Sequence, residues 1–416
     1  MRKLIKKNKI IILAYILMSS ILLTSCIGSR ELQTLAIVTA IGLDREGEEV
    51  LITCEIINPT TASSLMSSSP TSSTNNIVFA QGKGRTVFEA IRDIPLHFDR
   101  KLFFSHSNVL ILGEEFAKRG ITEFMDIFLR DNEPRENLYM VVAKGVMAYE
   151  IMGVRGELSQ SAGNYIYDII ENFKYNGKCV EMTMSEYYRY YYDVSNEPVI
   201  GVVEKIEKKV IDEERKKDTP TKYILDISGG AALKRDYLLG YFSEDEIFGY
   251  NFITNGIKGG LITFKTPKGL TKGAAIIGKE GEFTSVEIFY AKTKRNIEIT
   301  EGKILLNIDV KLRAGLGEES KAVDVGNLEV IHILEEASSK EVKRLISATM
   351  DKGQKQFKQD NFSIGEIVHQ QHPEVWKEIS KDWNSIFPEI SYKVNVEIDI
   401  VKTGIINVPS NLRKRR

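Results

Sequence analysis

Cys26 is the side chain best placed for chemistry. It follows Leu23-Thr24-Ser25 at the end of a 14-residue apolar stretch, Ile10 to Leu23, broken only by Ser19 and Ser20. Small residues before a cysteine, directly behind an apolar core, are what a lipoprotein signal peptidase requires. The sulfur would take a diacylglycerol group, the chain would be cut between Ser25 and Cys26, and the new amino terminus could be acylated in turn. The stretch is short for a bilayer-spanning helix of about 20 residues and of the length found in export signals. Arg2, Lys3, Lys6, Lys7 and Lys9 precede it with no acid among residues 1–25. That charge keeps the start cytoplasmic and places everything after Cys26 outside. The alternative is an uncleaved signal anchor with Cys26 an incidental thiol. One acyl chain holds a protein marginally and two hold it stably, at about 0.8 kcal/mol per buried methylene.

Other candidate chemistry is weaker. Gly273-Ala-Ala-Ile-Ile-Gly278-Lys279 has phosphate-loop spacing, but Glu280 stands where a Ser or Thr would hold magnesium. A strand ending in a turn is the better reading. His369 and His372 are three apart on an expected helix and could share a metal, yet zinc needs three or four convergent ligands and none completes the set; a surface pair fits better. No Gly-x-Ser-x-Gly or His-Glu-x-x-His occurs. Tyr187, Tyr188, Tyr190, Tyr191 and Tyr192 form a dense aromatic run, read either as a partner-binding patch or as core and edge-strand packing. Cys54 and Cys179 could pair in an exported compartment or remain two small buried thiols. No catalytic residue, cofactor or metal site is expected.

The elements that must position these residues belong to a globular chain. There are 416 residues, 43% hydrophobic and 27% charged, with 56 Lys+Arg against 57 Asp+Glu. Without residues 1–25 the balance is 51 basic to 57 acidic. This excludes a strongly basic nucleic-acid binder and a largely disordered chain. Three cysteines exclude a disulfide-dense scaffold.

Leu35–Leu43 and Val50–Ile57 read as a hairpin. Residues 59–76 hold eleven Ser or Thr among 18 and read as a mobile exposed loop. Strand character resumes over Ile77–Ala80. Thr86–Ile94, Glu114–Lys118 and Ile121–Leu129 show helical spacing, while Asn108–Leu112 and Leu138–Ala143 look like strands. Eleven of the 14 residues from Lys205 to Asp218 are charged, which marks a domain boundary or a solvated linking helix. Beyond it, strands are expected at 223–227, 238–242, 261–264, 274–277 and 286–291. Ile304–Ala314 and Tyr392–Ile400 alternate with period two, as half-buried antiparallel strands do. Helices at about 327–359 and 363–387 lie between those two and should pack on the sheet. The fold class is mixed α/β and multi-domain. The expected division is a signal peptide at 1–25, an N-terminal α/β region at 26–204, a charged linker at 205–220 and a C-terminal α/β region at 221–416.

Read in order, these segments resemble the C subunit of bacterial spore germinant receptors, the Ger(x)C lipoproteins. The first match is Cys26, then Arg30-Glu31-Leu32, Leu35-Ala-Ile-Val and Ile41-Gly-Leu-Asp44. Ile27-Gly28-Ser29 stand where the family usually has Trp-Asp. The densest match comprises Arg100-Lys-Leu-Phe-Phe-Ser-His106, Val109-Leu-Ile-Leu-Gly-Glu-Glu115, Ala117-Lys-Arg-Gly120 and Arg130-Asp-Asn-Glu-Pro-Arg135. The third is Asp360-Asn-Phe-Ser-Ile-Gly365, Pro373-Glu-Val-Trp376, Trp383, Phe387 and Gly404.

The resemblance implies three α/β domains, each with a sheet flanked by helices. It also implies a lipid anchor at the outer face of the spore inner membrane, and work with two membrane-embedded partners, the A and B subunits, in nutrient-triggered germination. It implies no catalytic residue. Arg100, Lys101, His106, Arg130 and Arg135 bracket apolar elements and are candidates for a partner-facing surface; the alternative is that they cap a core unit or form salt bridges. Two other classes compete: a solute-binding lipoprotein of a transport system, needing a cleft between lobes, and an exported enzyme.

Overall fold

The computed structural model describes residues 34–57, 76–130, 135, 137–156, 159, 161–172, 175–193, 195–208, 222–267, 283–319 and 328–402. Cys26, the Ser/Thr-rich tract up to residue 75, the phosphate-loop-like 273–279 with its expected strand, and Gly404 lie outside them.

The chain opens with β1 (Leu35–Glu46) and β2 (Glu49–Ile57), paired antiparallel. Gly47, at φ +65°, makes the turn between them, a backbone region open chiefly to glycine. Next come β3 (Ile77–Gly84), α1 (Val87–Asp93), β4 (Lys101–Phe103), β5 (Val109–Gly113), α2 (Glu114–Arg119), α3 (Thr122–Arg130) and β6 (Tyr139–Ala143). Thr86 caps α1 by accepting from Glu89 N–H. Then follow α4 (Ala148–Met152), α5 (Ala162–Glu171), α6 (Met184–Tyr192), β7 (Val199–Glu207), β8 (Tyr223–Asp226), β9 (Gly230–Lys234) and β10 (Tyr237–Phe242).

These ten strands form one sheet in the order β10-β9-β7-β6-β5-β1-β2-β3, with β4 also along β1 and β8 along β7. Its parallel centre is apolar on both faces, as a sheet covered on both sides must be. Val109–Gly113 are all buried.

Most of the charged run, residues 209–221, lies outside the described residues. Glu207 of β7 pairs with Tyr223 of β8, so residues 208–222 connect neighbouring strands of a single sheet. β9 and β10, expected with the C-terminal region, also pair into this sheet, beginning at β7.

The second sheet is built from α7 (Glu244–Ile253), β11 (Gly260–Lys265), β12 (Phe283–Thr300), β13 (Lys303–Glu319), α8 (Leu328–Asp351), α9 (Ile364–Gln371), α10 (Pro373–Ile379), α11 (Trp383–Ile386) and β14 (Ser391–Lys402). Its order is β11-β12-β13-β14. β11, β12 and β13 are antiparallel. The expectation of antiparallel pairing fails at β14, which runs parallel to β13. The reason is the helical segment between them, because parallel neighbours require such a crossover.

α8 ends in a wider π turn over Lys352–Phe357. The helix expected over 363–387 is broken at His372-Pro373 into α9 and α10, because proline cannot continue a helix from within. The described residues thus form two sheets flanked by helices, the mixed α/β fold expected.

Candidate functional site

Three buried carboxylates organise the segments that carry the resemblance. Asp44, near the end of β1, is fully buried. Its Oδ1 accepts from Ala148 N–H at 2.7 Å and its Oδ2 from Tyr149 N–H at 3.1 Å. A strand residue thereby satisfies the orphan donors that open α4. Glu55 of β2 is also buried. It accepts from Thr39 Oγ1 at 2.7 Å, Ser161 Oγ at 2.6 Å, Ala162 N–H at 2.7 Å and Gly163 N–H at 3.1 Å, and so holds the start of α5.

Asp360 does the same in the C-terminal half. It accepts from Phe362 N–H at 3.1 Å, Ile364 N–H at 3.1 Å, Gly365 N–H at 2.6 Å and the Trp383 indole at 3.0 Å. Burial pushes its carboxyl above the usual range, and these donors pull against that. The adjacent Asn361 donates to Glu197 O at 3.2 Å and Leu233 O at 3.1 Å. That side chain fastens the C-terminal half to the large sheet.

Burial raises the Asp44 carboxyl to about 6, opposed by its two backbone donors. A folded-state value above the unfolded one means that the native state binds the extra proton between about pH 4 and pH 6. The stability Asp44 contributes is therefore full below pH 4 and is lost as pH rises through 6. Two units correspond to about 3 kcal/mol. Urea titrations of the parent and Asp44→Asn across this window should show their stability difference changing with that sign. A difference independent of pH would show that Asp44 titrates normally.

The residues expected at a partner surface lie on different elements. Arg100 is half-buried and immediately precedes β4, Lys101 is exposed and opens β4, and the exposed His106 lies 5.7 Å from Phe103, ring to ring. Arg130 ends α3, where its guanidinium pairs with Asp126 at 2.9 Å, one turn earlier. Arg135 is exposed.

The two helix histidines serve different neighbours. His369 stacks on Trp376 with centroids 6.0 Å apart, and His372 Nε2 lies 3.1 Å from Ile297 O. The tyrosine run is helical, not an edge strand. Tyr187 is buried with its hydroxyl donating to Arg235 O at 3.3 Å, whereas Tyr192 is exposed. Cys54 and Cys179 are free thiols in separate parts of the core. Burial lifts each to about 12, so both are thiols and not thiolates at neutral pH.

An open groove of about 780 Å³ runs between α6 and the α9–α10 pair, walled by Tyr188, Tyr192, His369 and Trp376 with Arg189 and Lys381 at its rim. Among the described residues no group of three His, Cys, Asp or Glu could hold a metal. No described helix is long and apolar enough to cross a membrane.

Sequence reasoning missed α4 to α7 and with them the capping role of Asp44 and Glu55. Two of these helices carry a local signature, Thr183-x-x-Glu186 and Ser243-x-x-Glu246, each forming a complete capping box. The caps from Asp44 and Glu55 span more than a hundred residues and have no local signature.

Residues 28–205 match the family described as "Spore germination protein N-terminal domain", and residues 228–404 match "Spore germination B3/GerAC like, C-terminal". The chain belongs to the Ger(x)C family of spore germination proteins. Among Ger(x)C relatives, it is 25% identical over 409 residues to spore germination protein KC of Bacillus subtilis (strain 168), covering 97% of this chain and 98% of that one. Spore germination protein B3 of the same organism is 23% identical over 390 residues, covering 92% and 95%. The crystal structure of the GerBC protein superposes with a TM-score of 0.53 at 19% identity, over 89% of this chain and 100% of that one. That likeness shows a shared Ger(x)C fold.

Proposed function

We propose that this chain is a lipid-anchored, non-enzymatic subunit of a spore nutrient germinant receptor, required for assembly of the complex or for its signalling. The observation that carries the reading is the end-to-end match to spore germination proteins through both family regions. The lipoprotein signal ending at Cys26 supports attachment of the mature chain at the outer face of the spore inner membrane. There it would sit beside the membrane-embedded A and B subunits. The non-enzymatic reading draws on Asp44, Glu55 and Asp360. Each of these buried acids is occupied by helix-start N–H groups and none lines the groove. Arg130 and Arg135 are proposed to face the membrane partners.

Deleting the gene in the spore-former should abolish germination by at least one nutrient of a panel. Cys26→Ala should move the chain from the spore membrane fraction to the soluble one. Charge reversal at Arg130 and Arg135 should leave the chain in the membrane fraction but reduce co-purification of its partners. Normal germination of the deletion strain on every nutrient would sink the proposal.

The aromatic groove favours a second reading, a solute-binding lipoprotein. Thermal stabilisation by a small solute, lost in Trp376→Ala, would favour that reading over the receptor subunit.

A further inference from the structure

The ends of the large sheet differ in distance from Cys26. β1 starts at Leu35, nine residues after Cys26. Fully extended, nine residues span at most about 30 Å. The turn at Gly47 lies about 40 Å further along β1, at roughly 3.3 Å per residue.

Pairing gathers four strand ends beside Leu35. Lys101 of β4 is its parallel partner, Ile57 of β2 pairs with Ile37, and Ile77 of β3 pairs with Ile57. One corner of the sheet, about 14 Å wide at the usual strand spacing, therefore lies within reach of the acylated residue.

Its side chains are those of a membrane interface. Arg100 and Lys101 stand on the β4 side, with the exposed Asp99 before them. Val78 and Phe79, each 40% exposed, stand at the start of β3, the outer strand. The opposite end carries the exposed Glu46, Glu48 and Glu49 around Gly47, together with Arg45 and, at the end of β3, Lys83 and Arg85. Two of the glutamates have cationic partners, Lys83 for Glu46 and Arg119 for Glu48.

We infer that this corner rests on the bilayer, with anionic headgroups against Arg100 and Lys101 and with Val78 and Phe79 at the level of the headgroups. Basic residues are drawn to an anionic leaflet within a Debye length, and aromatic side chains favour the interface. The Gly47 end, about 40 Å along β1, then faces away from that surface. The long axis of β1 then stands away from the membrane. Arg100 and Lys101 meet lipid, and Arg130 and Arg135 are left for protein partners. The inference rests on the reading of Cys26 as the lipid anchor.

The test uses the full acylated chain in phosphatidylglycerol-containing vesicles carrying a nitroxide at headgroup depth. Cys54 and Cys179 are buried, so a maleimide fluorophore reports only an introduced cysteine. Asp99→Cys should be quenched strongly and Glu48→Cys little. Adding Arg100→Glu and Lys101→Glu to Asp99→Cys should weaken the quenching several-fold in anionic vesicles and leave it unchanged in phosphatidylcholine. Continued protection of Cys54 and Cys179 from maleimide confirms that the variants are folded. A bound chain quenched equally at both positions, or indifferent to the charge reversal, overturns the inference and leaves the anchor standing. A chain that does not sediment with the vesicles removes both.

Discussion

Asp360→Ala is expected to destabilise the native chain by about 4 kcal/mol, because a charged acceptor and all its hydrogen bonds leave a buried site together. Three backbone N–H groups and the Trp383 indole lose their acceptor at once. The neighbouring Arg295, which donates to Phe362 O at 2.5 Å, loses the nearby negative charge that favours its protonated form. The damage should reach beyond α9, because Asn361 ties the same loop to Glu197 and Leu233 of the large sheet. The only tryptophans of the chain, Trp376 and Trp383, lie within α10 and α11. Urea unfolding followed by their fluorescence therefore reads this segment directly. A loss under about 1 kcal/mol would show that water replaces the carboxylate and that the loop is not the clasp described above.

Gly113→Ala should cost about 3 kcal/mol or more, through overpacking of a strand with no room to move. A Cβ at this position would lie 2.1 Å from Asp44 Oδ1 and 3.1 Å from Leu43 O. Relief requires Asp44 to leave the start of α4 or β5 to separate from β1. The two residues belong to two separate segments of the family resemblance, the one ending at Asp44 and the one containing Gly113. The structure shows why they occur together: glycine leaves the space that the buried carboxylate fills. A double-mutant cycle tests the point. Gly113→Ala should be much cheaper in an Asp44→Ala background. Equal costs in both backgrounds would mean that the contact is not what excludes a side chain there.

Much of the fold was legible because its periodicities are local. The hairpin of β1 and β2, helix α1 and the long alternation of β13 and β14 follow from apolar spacing and turn residues within short windows. The direction of β14 is not contained in its own alternation, which is the same for parallel and antiparallel neighbours. It is set by the intervening helices, which the sequence did show. The charged run falls between the two family regions, 28–205 and 228–404, while the strands on either side of it pair in one sheet. Charge density reports solvation and does not by itself say which strands pair across it. The tyrosines of α6 were hard to place because so many aromatic residues in a row suit a strand as well as a helix. The Thr183-Glu186 capping box was the better guide.

The candidate site was legible in a different sense. The segments that carry the family resemblance were visible in the chain, but what they do was not. Asp44, Gly113, Asp360 and Trp383 act through contacts between distant positions. The structure reads them as the parts that hold helices to sheets. Of the basic residues grouped together in the sequence, Lys101 opens a strand beside β1 and Arg130 ends α3.

The central claim is that a globular body is held beside its membrane partners by a lipid on one sulfur atom. Intact mass measurement of the chain isolated from spore membranes tests it most directly. The account predicts a polypeptide beginning at Cys26 and heavier than its sequence by a diacylglyceryl group, with or without one further acyl chain. A mass matching all 416 residues, with Met1 present and the Cys26 thiol free, would contradict it.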